Sequence, residues 1–255
     1  MRWAVMIDIQ KETDCRGIPI MNVGVSGYKI PITINSQHST ALAKLSVSLD
    51  SSQKGIHMSR LCSILEDIDS INNELFFAIL ENAAESMSSS TAELIIDTSF
   101  YLEKTAPVSR LSSRVYYDIK ITGTYDNAKT TIFHKLFVPI TSLCPCSKAI
   151  SIYGAHNQRG ILSVEFGQID TNDYELIIRS LEKAAASSEI YEVLKRPDEK
   201  SVTERAYDNP KFVEDVVRDA IITCRESLPG KLHYVEATSF ESIHSHNAFA
   251  ATRLL

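Results

Sequence analysis

The densest chemistry in the sequence lies in Leu143-Cys144-Pro145-Cys146-Ser147-Lys148, followed closely by Gly154-Ala155-His156-Asn157-Gln158-Arg159. Two thiols, an imidazole, an amine and a guanidinium crowd a connection between two stretches of alternating apolar residues, and connections that rich in reactive groups are seldom mere links. Thiolate and neutral imidazole are good ligands for zinc and other borderline divalent ions, and residues distant in sequence can complete such a site. The Cys-Pro-Cys spacing is not that of a two-residue-gap zinc motif. From the residues alone, half a metal site and an exposed loop therefore stand as equal readings.

The last quarter of the chain holds the other candidates. Arg196-Pro197-Asp198-Glu199-Lys200 gathers charge around an expected turn, where Glu199 could bind a metal through oxygen or simply be solvated. Glu214 borders the apolar stripe of an expected helix, and the plain alternative is a local pair with Arg218 four residues on. In Glu241-Ser242-Ile243-His244-Ser245-His246 the two histidines share a face of an extended chain and Glu241 has the opposite parity, so a bend is needed to gather all three.

These residues need a scaffold, and hydrophobic periodicity predicts one. Ile30, Ile32 and Ile34, then Leu45, Val47 and Leu49, alternate as two strands across a polar turn. Helical spacing follows in Leu61, Ile64, Leu65 and Ile68, and again in Phe76, Ile79, Leu80, Ala83, Ala84 and Met87 after the helix-starting pair Asn72-Asn73. A strand through Glu93 to Glu103 and another through Val115, Tyr117, Ile119 and Ile121 close a β-β-α-α-β-β series before the turn Tyr125-Asp126-Asn127. The second half repeats the order. Ile132 to Val138 and Ile161 to Phe166 read as strands, Asn172 and Asn209-Pro210 as starts of two amphipathic helices, and Lys231 to Phe240 and His246 to Leu255 as closing strands. The expected division is 1–126 and 127–255, two α+β units with no visible sequence repeat.

Composition narrows the function classes. At 255 residues, 44% hydrophobic and 23% charged, the chain has the material for a core and is neither disordered nor fibrous. A net charge of -6 argues against a broad grip on nucleic acid or anionic lipid, though not against a local basic pocket. Five scattered cysteines make no disulfide framework, and Met1 to Gln10 has no long apolar run, so a cytoplasmic protein is expected.

Ordered motifs along most of the chain carry a resemblance. Val23-Gly24-Val25-Ser26-Gly27-Tyr28-Lys29, Lys54-Gly55-Ile56-His57-Met58-Ser59-Arg60, the Cys144 to Arg159 segment, Lys195 to Lys200, Tyr207-Asp208-Asn209-Pro210-Lys211-Phe212-Val213-Glu214 and Glu241 to Asn247 together resemble the type IB GTP cyclohydrolases. The resemblance implies a tunnelling fold: two tandem ββααββ modules per subunit with antiparallel sheets, assembled as a homo-oligomer, expected as a tetramer, into a barrel with active sites at subunit interfaces. It implies GTP as substrate, a divalent metal (zinc, manganese or iron), and dihydroneopterin triphosphate and formate as products. Carried over by position, it makes Cys144, His156 and Glu199 the metal ligands, Cys146 a nearby exchangeable thiol, and Glu214 the acid that reads the guanine edge. It makes Glu241 and His244 the proton-transfer residues, supported by His246. Lys148, Arg159, Lys54 and Arg60 flank the motifs and are candidate cations for the triphosphate. Two rivals are a nitrile reductase-like tunnelling-fold enzyme with Cys144 or Cys146 as nucleophile, for which no nicotinamide-binding fingerprint is visible, and a structural zinc module without activity.

Overall fold

Alternating burial carries the expected strands further than the sequence patterns alone suggested. The computed structural model describes residues 8–254; the N-terminal stretch before Asp8, and Leu255 at the end of the expected last strand, lie outside the described residues. Among the described residues the fold is α+β, eight strands in one antiparallel sheet and six α-helices. In chain order the elements are β1 (Ile20–Ile34), β2 (Gln37–Leu49), α1 (Met58–Glu66), α2 (Asn73–Met87), β3 (Thr91–Thr105), β4 (Ser112–Asp126), β5 (Lys129–Leu143), α3 (Pro145–Ile150), β6 (Asn157–Gly167), α4 (Asp173–Ala184), α5 (Arg196–Asp208), α6 (Val213–Ser227), β7 (Leu232–Ser239) and β8 (Ala248–Arg253). Strand order in the sheet follows chain order: short turns join β1 to β2, β3 to β4 and β4 to β5, whereas β2 reaches its neighbour β3 through α1 and α2, and β6 reaches β7 through α4, α5 and α6.

Contacts divide the chain into two units, Met1–Thr98 with Ile121–Ile132, and Ser99–Lys120 with Phe133–Leu255. In the first, β1 and β2 meet at Ile34↔Gln37 across Asn35 and Ser36, both at positive φ (47° and 66°), the backbone of a two-residue hairpin turn whose twist matches its strands. α2 begins where the Asn72 side chain accepts from the Leu75 N–H at 2.8 Å, and it buries Phe76, Ile79, Leu80, Ala83, Ala84 and Met87, the stripe that periodicity marks. Gly123 on β4 has no side chain because a Cβ there would lie 2.8 Å from Leu80 and 2.9 Å from Phe76.

The second unit is organised around long strands β5 and β6, paired without interruption from Phe133↔Gly167 to Leu143↔Asn157. α4 buries Tyr174, Ile177, Ile178 and Leu181, and α6 buries Val216, Val217, Ala220 and Cys224. α4 also carries Glu182 inward. Its carboxylate, 2% exposed, accepts from Lys104 Nζ at 2.8 Å and from the Tyr117 hydroxyl at 2.8 Å. Burial pushes the Glu182 carboxyl up, while the Lys104 ammonium pulls the other way.

Two expectations about this unit need correcting. The charged turn around Glu199 is the first turn of helix α5. Asp198 is fully buried there: one oxygen accepts from the Val108 and Ser109 N–H groups and the other from the Lys195 N–H, each at 2.8 Å. Burial raises the Asp198 carboxyl, but these hydrogen bonds outweigh it and hold the group well below the usual carboxylate range. The helix expected to open at Asn209-Pro210 instead starts at Val213. Asn209 ends α5 and spends its side-chain amide on Ala186 O at 3.0 Å, and the Lys211 N–H goes to Leu143 O at 3.1 Å, so the chain cannot coil until Phe212, whose N–H is taken by Asp215. Among the described residues no helix is long and apolar enough to cross a membrane.

Candidate active site

Side-chain parity on three neighbouring strands builds one cavity at an end of the second unit. Ser142 on β5 sits opposite Gln158 on β6, and directly paired residues share a face. Two steps further on, Cys144 keeps the face of Ser142; two steps back, His156 keeps that of Gln158. Gly160 pairs with Ser239 of β7, and Glu241 follows Ser239 by two. Gly160 must be glycine for this alignment, since a Cβ would stand 2.5 Å from the Thr238 carbonyl oxygen. Six residues with hydroxyl, thiol, imidazole, amide or carboxylate groups are thereby turned toward one space.

The space is a cavity of about 310 Å³ lined by Ser142, Cys144, His156, Gln158, Ser239 and Glu241 from these strand ends, with Lys211 and Phe212 from the segment just before α6, Glu214 from its first turn, and His244 and His246 from the loop before β8. The chain bends through residues 242–246, as the parity of the Glu-x-x-His-x-His run requires if all three are to meet. The His244 and His246 rings stack there at 5.0 Å and 15°.

Local structure fixes the thiol and the imidazole against each other. Pro145 starts α3, keeping Cys144 extended in the N-cap position, where its sulfur accepts from the Ser147 N–H at 3.4 Å. The Cys144 N–H donates to His156 O at 3.1 Å. Ser147 Oγ donates to Cys144 O at 3.1 Å and accepts from the His156 N–H at 3.2 Å. His156 Nδ1 lies 2.8 Å from Gln158 Oε1, and Gln158 Nε2 reaches Ser239 Oγ at 3.2 Å and Glu241 Oε1 at 3.3 Å.

Not every residue singled out by sequence comes to this place. Cys146 is exposed on α3 and does not line the cavity. Glu199 is on α5, half exposed, paired with Arg196 at 2.8 Å, and is not part of the lining. Among the described residues no three His, Cys, Asp or Glu side chains are grouped closely enough to hold a metal ion. Lys148 is held by the Tyr207 carbonyl and lies 4.2 Å over the Tyr207 ring, and Arg159 is exposed on β6. Lys54 pairs with Glu12 and Arg60 donates to Ser86 O at 3.1 Å, both in the first unit. The lysine that does line the cavity is Lys211, its ammonium 2.6 Å from Asp219. Arg218, offered by sequence as a partner for Glu214, pairs with Asp215 at 3.0 Å. Glu214 faces the cavity with no ion-pair partner among the described residues.

Sequence reading passed over Gln158, Ser142, Ser239 and Ser147 because neutral amides and hydroxyls carry no chemical flag. Strand alternation was the signal that could have found them, since each stands two residues from a marked one or within the marked loop.

The family model described as Type I GTP cyclohydrolase folE2 matches residues 6–250. The chain belongs to this family. Among its similar relatives, the GTP cyclohydrolase FolE2 of Paraburkholderia phymatum is 41% identical over 252 residues, 96% of this chain and 94% of the relative. That of Ralstonia nicotianae is 41% identical over 96% of this chain and 93% of the relative, and that of a Janthinobacterium species 40% identical over 98% and 95%. Similar solved structures include a uricase from Arthrobacter globiformis, TM-score 0.52 at 8% identity over 91% of this chain and 93% of that one. A hyper-thermostable AgUricase mutant gives 0.53 at 9% identity over 94% of each. At such identities the likeness concerns the fold alone. Membership of the FolE2 family gives no support to the nitrile reductase-like or structural-zinc readings.

Proposed function

We propose that the cavity bounded by Cys144, His156, Glu214 and Glu241 is where this FolE2-family chain hydrolyses GTP, opening the imidazole ring at C8, releasing formate and closing the pterin ring of 7,8-dihydroneopterin triphosphate. The observation that carries this reading is the convergence of Cys144, His156, Glu214, Glu241, His244 and His246 on one cavity. A carboxylate facing the cavity from the first turn of α6 suits a base edge that presents two donors, and Glu214 accepts from the guanine ring N–H and exocyclic amine. Adenine offers no such pair, so selectivity rests on leaving Glu214 unmatched.

Cys144 and His156 fit the donor set of a divalent ion, being soft thiolate and borderline imidazole held together through backbone and Ser147. When bound, zinc, manganese or iron supplies the Lewis acidity that makes water a competent nucleophile near neutral pH. Glu199 is the third ligand in this reading; it must give up Arg196, and either it or its counterpart from another subunit completes the site. Glu241 and His244 carry protons to N7 as the ring opens and about the ribose afterwards, with His246 stacked on His244 holding it in place and Cys146 as an exchangeable thiol. Lys148, Arg159, Lys54 and Arg60 remain the proposed triphosphate cations, gathered by assembly.

The subunit organisation follows the same reading. The likeness to uricases supports a tunnelling fold, with β1-β2-α1-α2-β3-β4 as one ββααββ module and β5-β6-α4-α6-β7-β8 as the other, interrupted by α3 and α5. The proposed boundary between 1–126 and 127–255 falls at the Asn127-Ala128 turn. Ile150, Ile152 and Tyr153, each at least 85% exposed in the segment between Cys144 and His156, suit burial in a homotetramer with interfacial sites.

The test is to prepare metal-free protein, restore zinc, manganese or iron separately, and follow formate and pterin fluorescence from GTP. Formate with at least one ion is expected. No product with any of them would sink the reading.

A further inference from the structure

One uncharged side chain stands between the imidazole and the carboxylate of the cavity. Gln158 is 9% exposed and can hardly choose its neighbours. Its amide has one end that only accepts and one that only donates. A carboxylate only accepts, so the end that faces Glu241 at 3.3 Å is the NH2 group, which also reaches Ser239 Oγ at 3.2 Å. The carbonyl oxygen is thereby turned to His156, 2.8 Å from Nδ1. An oxygen that only accepts requires an N–H opposite it. In neutral His156 the proton therefore resides on Nδ1, and Nε2 keeps the lone pair. Ser242 Oγ, 3.4 Å from Nδ1, is a hydroxyl that can accept as well and does not reverse the polarity.

We infer that Gln158 is a positioning residue that converts the charge of Glu241 into a single tautomer of His156, leaving Nε2 as the nitrogen with a lone pair to offer. The inference deepens the reading of His156 as a metal ligand and rests on it for its purpose, because an outer partner that fixes ring orientation and tautomer tunes a ligand's affinity. It also assigns Glu241 a task before any proton transfer. Its negative charge sets the direction in which the amide points.

The experiment reads the tautomer in the metal-free, full-length protein. Two-bond 1H–15N correlation spectra of the histidine rings at about pH 8, above the ordinary histidine range, distinguish the Nδ1–H from the Nε2–H form. His156→Ala assigns the signal among the seven histidines. The expected result is the Nδ1–H pattern in the wild type and a shift toward the Nε2–H form, which free histidine favours, in Gln158→Met, a change that keeps length but removes both polar ends. Glu241→Gln leaves Gln158 in place but can meet either end of its amide, so a mixture of tautomers is expected there, and this variant serves if Gln158→Met does not fold. Zinc affinity, measured by competition with a chelator, should fall about 10- to 100-fold in Gln158→Met. An Nε2–H pattern in the wild type, or a His156 signal unchanged in both variants, overturns the inference. If the tautomer behaves as expected while the wild type binds no zinc, the metal reading falls and the assignment of Gln158 stands.

Discussion

At the scale of single residues, the proposed chemistry of the cavity separates into groups that would hold a metal and a group that would read the base. Cys144 and His156 share a clamp through Ser147, so each presents its side chain from a fixed position, and removing either would take one of the three ligands from the proposed metal site. Cys144→Ala and His156→Ala should each lose bound metal and at least about 100-fold in activity, more than outer partners cost, as checked by metal content after gel filtration and by formate release. Tight metal retention in Cys144→Ala would refute its assignment as a ligand. Glu214 sits on a different element and should behave differently. Glu214→Ala should keep metal and lose at least about 100-fold in kcat/KM for GTP, since both charge-assisted hydrogen bonds to the base edge go, with the loss appearing mainly in KM. The residues that could be named in advance were those with rare, reactive side chains. Gln158 carries no such mark: strand alternation places it two residues from His156, but its importance comes from what stands on either side of it, which the register of β5, β6 and β7 reveals.

At the scale of elements, the strands and the amphipathic helices were legible because their burial is periodic. Phe76 to Met87 and Tyr174 to Leu181 become inward stripes, and the β5–β6 alternation becomes an unbroken ladder. α5 was not legible for the opposite reason: within Arg196–Asp208 only Asp198 and Ala206 are buried, so no apolar stripe exists to be read. What holds α5 is its buried acid. Asp198 both caps the helix through the Lys195 N–H and receives two N–H groups from the turn between β3 and β4. Asp198→Ala should leave three donors without their acceptor, loosen the start of the helix that carries Glu199, and lower the melting midpoint by several degrees. Hydrogen exchange gives the sharper check. The amides of Val108, Ser109 and Lys195 should lose protection together in the variant, and independent behaviour would show that Asp198 is not the joint latch described.

At the scale of the whole molecule, buried ionisable groups decide how stability follows pH. His134 lies on β5 at 1% exposure, with Nδ1 2.6 Å from the Tyr174 hydroxyl, and burial brings its pKa down to about 4. Unfolded, the same ring titrates near 6.5. Above that value both states hold the ring neutral and its contribution is complete. As pH falls through 6.5 the unfolded chain takes up a proton that the folded chain refuses, so stability declines until about pH 4, where the folded ring charges too and the loss levels off. The gap between about 4 and 6.5 corresponds to about 3 kcal/mol lost over that window. Carboxylates add their own acid sensitivity, which the comparison must remove. Denaturant unfolding of wild type and His134→Gln at matched pH values does so, since Gln can still meet the Tyr174 hydroxyl but does not titrate. The difference in unfolding free energy between the two should narrow steadily from pH 7 to pH 4. A constant difference would mean that His134 charges inside the folded protein as readily as outside it, and that this part of the core admits water.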